Sequence, residues 1–152
     1  MSLSLDSKSN RERIIEAFPA LGTSQFHITS PITPNYNCIA WAANDQTRWW
    51  WPDSNYQRYW PCCAPRDTTL QAFLKAFQSL GYQQIKEEDI DSYIDVIAFM
   101  TKAASVTHAI RRLKNGLWGS KLGDKWDIEH ELYAIEGETY GRITAFMGRG
   151  TN

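Results

Sequence analysis

Past an acidic connector at Lys86–Asp91 the hydrophobic period of this chain changes from helical to strand-like, and that change limits what it can fold into. Before the connector, Leu70, Phe73, Leu74, Phe77 and Leu80 recur at helical spacing, with Asp67 as the cap and Gly81 as the stop. After it, Tyr93–Met100 and Ser105–Leu113 read as strands, Lys114-Asn115-Gly116 as a turn, Leu117–Leu122 as the return and Gly141–Met147 as a last strand. A short helix from about Asp127 to Ile135, with Ile128, Leu132 and Ile135 on one side, interrupts them. Nearer the start, a helix is expected from Asn10, carrying Ile14, Ile15 and Phe18 and ended by Pro19 and Gly22. Phe26–Asn37, with Pro31 and Pro34, reads as an extended lead-in. Asn37 then caps a short helix, Cys38–Asn44, which is apolar nearly all round and so expected to be buried. Helices first and an antiparallel meander of three or four strands afterwards make an α+β fold with the helices on one sheet face.

The chain has 152 residues, expected to form one domain over residues 10–152 after a disordered segment, 1–9. A chain of this length buries roughly 68–70% of its unfolded surface, enough for a core without disulfides or metals. Sixteen Lys and Arg against 17 Asp and Glu give a net charge of −1, which removes the electrostatic footprint of a general nucleic-acid or anionic-membrane binder. No run approaches the ~20 apolar residues of a membrane helix, and the polar N-terminus lacks a signal-peptide core. A cytoplasmic protein is the default expectation, with signal-independent export left open. The three cysteines, Cys38, Cys62 and Cys63, are odd in number and two are adjacent, so they form no disulfide framework.

A thiol becomes a nucleophile when unpaired backbone N–H groups lower its pKa, and Cys38 stands in the first turn of its expected helix. Adjacent amides, with the Asn35 or Asn37 side chain, could donate to an oxyanion there. The alternative is that Cys38 is a small buried hydrophobe. His108 lies within the strand Ser105–Leu113, where alternation groups it with Val106 and Ile110. A three-residue loop with Gly116 in the left-handed position pairs Ile110 with Ser120 and His108 with Leu122, making Ser120 a diagonal neighbour able to orient the imidazole, whereas a two-residue loop moves Ser120 to the opposite face. Asp127 and His130, three apart on the expected helix, are the other candidates for that third role, unless they form a surface pair. His27 has no nameable partner and reads as structural.

The chain is rich in aromatic residues, and Trp49, Trp50, Trp51, Tyr56, Tyr59 and Trp60 crowd into twelve positions. Trp49–Trp51 and Tyr59–Trp60 either plug the core above the cysteine helix or form a stacking wall for a substrate near Cys38. No Cys or His pair has structural-zinc spacing. No phosphate loop, dinucleotide fingerprint or nucleophile elbow is present, so neither a metal nor a cofactor is expected.

The blocks Pro34-Asn-Tyr-Asn-Cys-Ile-Ala-Trp-Ala42, Trp-Trp-Pro, Tyr-Trp-Pro, Thr107-His-Ala109, Trp118-Gly-Ser-Lys-Leu-Gly123, Asp127-Ile-Glu-His130 and Glu136-Gly137 with Tyr140-Gly141 resemble an uncharacterised bacterial domain family over about Tyr36–Arg149. The order of helix-borne cysteine, strand histidine and polar residue on the next strand looks like the papain-like group that includes NlpC/P60 and CHAP amidases. That resemblance implies a papain-like fold and thiolate attack by Cys38 on an amide, isopeptide or ester carbonyl, with His108 as base and then acid, through a thioester. It implies a peptide, protein or peptidoglycan-like substrate. Two other functions stay open. One is a non-enzymatic binding module built on the aromatic loop. The other is single-stranded nucleic-acid stacking near Arg48, Arg58 and Arg66.

Overall fold

The computed structural model describes residues 5–151. Its centre is a seven-stranded antiparallel sheet in the order β1-β6-β5-β4-β3-β7-β2. The strands are β1 (Phe26–Ser30), β2 (Gln83–Ile85), β3 (Tyr93–Lys102), β4 (Ser105–Arg112), β5 (Trp118–Lys121), β6 (Asp127–His130) and β7 (Arg142–Thr151). The helices are short: α1 (Lys8–Ala17), α2 (Cys38–Ala42) and α3 (Leu70–Gln78), with single 3₁₀ turns at Pro19–Thr23 and Glu87–Ser92. The disorder expected for residues 1–4 lies outside the described residues, and α1 already starts at Lys8, where Ser7 Oγ accepts from Asn10 N at 3.1 Å.

This corrects the expected papain-like α+β fold, with its N-terminal helices on one face of a three- to four-stranded sheet. The sheet has seven strands, and its two faces carry separate clusters. On one side α2, α3 and the aromatic loop cover Ile97, Phe99, Ala109, Ala145 and Met147. On the other, α1 and the following 3₁₀ turn cover Val96, Ala98, Met100, Ile110, Trp118, Ile128 and Phe146.

Two of the extra strands come from segments with a different local reading. Phe26–Ser30 is extended, as Pro31 requires, but its Phe26 and Ile28 point inward while His27 and Thr29 point out, so it becomes an edge strand. Ile128, Leu132 and Ile135 have the i, i+4, i+7 spacing of a helix over Asp127–Ile135, yet the start of that segment is β6. It lies between two strands, paired with β5 through Ser120↔Ile128 and with β1 through Ile28↔Ile128, and ladder pairing overrides a weak local preference.

The helices form where their caps sit. Asn37 caps α2 by accepting from Ala40 N at 3.1 Å. Thr69, rather than Asp67, caps α3, accepting from Ala72 N at 3.2 Å; Asp67 instead holds the Thr69 N–H at 3.0 Å in a turn. Phe73 and Phe77 of α3 stand edge-on to Phe99, with centroids 5.8 and 5.1 Å away, and fix the layer that seats α2.

Candidate functional site

The β4–β5 ladder consists of Arg111↔Gly119 and Arg112↔Trp118 next to the turn, which has three residues and places Gly116 at φ +87°. Toward Ser105 the two strands part. The freed edge of β4 finds other partners: Val106 N donates to Thr68 O at 2.8 Å, and the Ala109 amide pulls the pKa of the Cys38 thiol down. The amides of Ile39 and of Cys38 itself pull the same way. Three backbone amides therefore favour the thiolate form of one thiol.

The same thiol is buried, and burial pushes its pKa up to about 11 against the pull of those amides. At rest it is a neutral S–H, not the ionised thiolate expected from a helix start. A five-residue α2 is too short for a developed dipole to reverse the desolvation.

His108 is fully buried, and neither ring nitrogen has a hydrogen-bond partner. Its imidazole stacks on Tyr140 with centroids 3.9 Å apart and planes 5° from parallel. Burial drives it well below the usual histidine range, with the nearby His130 adding to the effect, so it is a neutral base. No hydrogen bond joins it to Cys38.

The expected grouping of His108 with Val106 is corrected by a bulge. His108 pairs with Met100 and Val106 with Thr101, leaving Thr107 as the extra residue, anchored by its hydroxyl to Met100 O at 3.3 Å and to Tyr140 O. Val106 then packs on the α2 side, while His108 and Ile110 lie on the α1 side. The sulfur and the imidazole thus approach the parted strands from opposite faces of the sheet. Tyr140 senses both, because its phenol is pushed up by burial and by the negative charge Cys38 would carry.

The candidates for a third member are placed differently from expectation. Ser120 Oγ donates to His130 Nε2 at 2.7 Å, and His130 Nδ1 donates to Glu131 O at 2.7 Å. The carbonyl can only accept, so the proton sits on Nδ1 and Nε2 takes the serine hydroxyl. Burial pushes His130 down to about 4, keeping it neutral. Ser120 therefore orients His130 and not His108. Asp127 and His130 do not share a helix face. They are three apart on a strand, which sends them to opposite sides. Asp127 Oδ2 accepts from Tyr36 Oη at 2.8 Å, Oδ1 is buried without a partner, and burial raises the carboxyl.

Asn37 is not free to serve an oxyanion. Its Nδ2 donates to Trp50 O at 2.7 Å, and its Oδ1 accepts from Ala40 N and Trp50 N, both at 3.1 Å. Asn35 is exposed, with its backbone N–H on Thr33 Oγ1 at 3.2 Å. In the aromatic loop Trp50 and Trp60 are 4% and 5% exposed, so their rings present no open stacking face. Trp60 packs edge-on to Phe73 at 4.8 Å and Trp50 lies 6.2 Å from Phe77, while Trp51, Tyr59 and Trp49 are half-buried around them.

Sequence reasoning passed over three residues. Tyr140 covers His108. Tyr36 holds Asp127. Lys121, fully buried, donates from Nζ to Gly123 O at 2.7 Å and to Thr33 O and Lys125 O at 2.8 Å, clamping the chain that leads into α2 onto the β5–β6 turn. All three belong to blocks already conspicuous in the sequence, and a lysine between Ser120 and Leu122 in a buried strand was the signal that could have found the clamp.

The family model for a "Domain of unknown function (DUF7689)" matches residues 27–148. No curated protein and no solved structure matches the chain, so the papain-like expectation finds no structural neighbour. Among the described residues, no helix is long and apolar enough to cross a membrane.

Proposed function

The chain belongs to the DUF7689 family, which brings no activity with it, and from the chemistry of the site we propose a cysteine hydrolase or acyltransferase acting on an amide, isopeptide or ester bond. Cys38 is its nucleophile and His108 its base. The observation that carries this reading is the bare imidazole. A fully buried histidine with two unpartnered ring nitrogens forgoes about 1–3 kcal/mol of hydrogen bonding. It does so one residue from the amide that lowers the Cys38 pKa. A neutral thiol and a neutral base suit proton transfer during attack rather than a resting ion pair.

In the forward step a free nitrogen of His108 takes the Cys38 proton as sulfur bonds to the carbonyl carbon. The oxyanion is met by backbone N–H groups of the kind that lower the Cys38 pKa, and the imidazolium returns its proton to the leaving amine or alcohol. Water, or an acceptor, then opens the thioester by the same base. Burial keeps the second histidine neutral, which spares His108 a like charge nearby. Peptide, protein and peptidoglycan-like substrates fit this chemistry, and a cytoplasmic setting would keep the thiol reduced. The binding-module alternative has less support, because two of its tryptophans are spent in the core.

The test is acylation by an activated aryl ester, read by peptide mass spectrometry. Cys62 and Cys63 are exposed and serve as unassisted internal controls. Cys38 should acylate faster than either, and His108→Gln should slow it at least about a hundredfold while leaving the controls unchanged. Acylation confined to Cys62 and Cys63 would overturn the proposal.

A further inference from the structure

A groove opens at the end of the sheet where β4 leaves and β3 enters. It has a volume of about 830 Å³, within the size range of small-molecule sites. Its walls carry four cationic side chains, Arg111, Arg112, Lys114 and Arg149, against two carboxylates, Asp91 and Asp95. Both carboxylates are already engaged. Arg112 Nη2 reaches Asp91 at 2.7 Å and Arg149 Nη2 reaches Asp95 at 3.0 Å, so those pairs form near-neutral walls. The positive excess belongs to Arg111 and Lys114.

Arg111 is the informative residue. It is half-buried, and burial lowers its pKa, the signature of a guanidinium stripped of water. Among the described residues no carboxylate lies within ion-pair distance of it. Its two hydrogen bonds, to Trp41 O at 3.1 Å and Asn44 Oδ1 at 3.2 Å, both run through Nη1, with the Trp41 ring 4.1 Å from its centre. The remaining edge of the guanidinium carries the fork that takes two oxygens of a carboxylate or phosphate side by side. Asp95 and Asp127 offset its charge only from beyond ion-pair distance, so a half-buried cation with no contact carboxylate in a groove of ligand size is a standing cost that an anion from solution would lower.

We propose that this groove is a binding site for a small oxyanion carrying two or more negative charges, of the pyrophosphate or phosphate-ester class, held by Arg111 with Lys114 and flanked by the Arg112 and Arg149 pairs. Two cations in excess of the carboxylates on these walls match a dianion better than a single carboxylate. The site is independent of the Cys38 reading, since none of its residues takes part in that chemistry.

Calorimetric titration of the full chain with inorganic pyrophosphate, and separately with inorganic phosphate, tests it. Pyrophosphate should bind one to one with a Kd below about 1 mM, more tightly than phosphate and more weakly as NaCl is raised. Arg111→Met should weaken binding at least about tenfold. Because Arg111 also bonds the end of α2, a second variant, Lys114→Ala with Arg112→Ala, leaves that contact intact and should weaken binding to a similar extent. Absence of saturable binding in the wild type, or a Kd unchanged in the second variant, would overturn the site.

Discussion

His130 is buried neutral, and acid should unfold the protein through it. Its folded-state pKa is about 4 against an ordinary 6.5, and burial is the cause. For a base with a depressed folded value, the unfolded chain takes the proton first as pH falls. The unfolded state then binds more protons, so stability rises with pH. The contribution is complete above pH 6.5 and is lost on descending toward pH 4. A shift of about 2.5 units at 1.36 kcal/mol each is worth roughly 3 kcal/mol, of which about 2 kcal/mol is gone by pH 5. The assay is urea unfolding at pH 7.5, 6, 5 and 4.5 of the wild type beside His130→Gln. The variant loses the Ser120 and Glu131 contacts at every pH, so it is weaker throughout. It also lacks the titration, so the stability gap between the two proteins should close by about 2 kcal/mol between pH 7.5 and pH 5. His108 and the carboxylates titrate in both proteins and largely cancel from the difference. Asp127, whose raised folded pKa gives the opposite slope, cancels with them. A gap that stays constant within about 0.5 kcal/mol would show that His130 is hydrated or charged in the folded protein, and the neutral Ser120–His130–Glu131 chain would be wrong.

Packing makes two further predictions. An alanine Cβ at Gly119 would sit 2.3 Å from Trp41 Cη2, and Trp41 cannot retreat because Arg111 stacks against it. Gly119→Ala should therefore cost about 1–3 kcal/mol or more, read as a fall in thermal midpoint. Asn37→Ala removes the α2 cap and leaves the Trp50 N–H and C=O unpaired in the interior. It should cost about 3–5 kcal/mol by urea unfolding, whereas Asn35→Ala at its exposed position should stay within about 0.5 kcal/mol.

Features written in single-residue chemistry were legible in the sequence. Asn37 before an all-apolar turn announced α2, the Leu70–Leu80 spacing announced α3, and Lys114-Asn115-Gly116 announced a turn, though not whether it would hold two or three residues. Features decided by neighbours were not. Asp127–His130 carries helical spacing and becomes a strand because two other strands need a partner between them. Gln83–Ile85 has no inward face of its own and joins the sheet only through Phe146–Gly148 of β7. The bulge at Thr107 leaves no mark that alternation could detect, yet it reverses the face on which Val106 stands relative to His108.

That bulge governs the candidate site. With an unbroken β4, Val106 and His108 would share one face and the strand would have no break at Thr107. With the extra residue, the strand turns as it leaves β5, one outward amide is given to Thr68 O and another to the Cys38 sulfur, and the His108 ring is delivered to Tyr140. A backbone amide that would otherwise complete a ladder thereby becomes the partner of a thiol. A sheet gives up ladder bonds in its interior only where other groups replace them. Here the replacements are a neighbouring loop and a sulfur, and of the two only the sulfur can also do chemistry. The conversion of a ladder position into a partner for a thiol is what distinguishes the buried Cys38 from Cys62 and Cys63, which lie exposed.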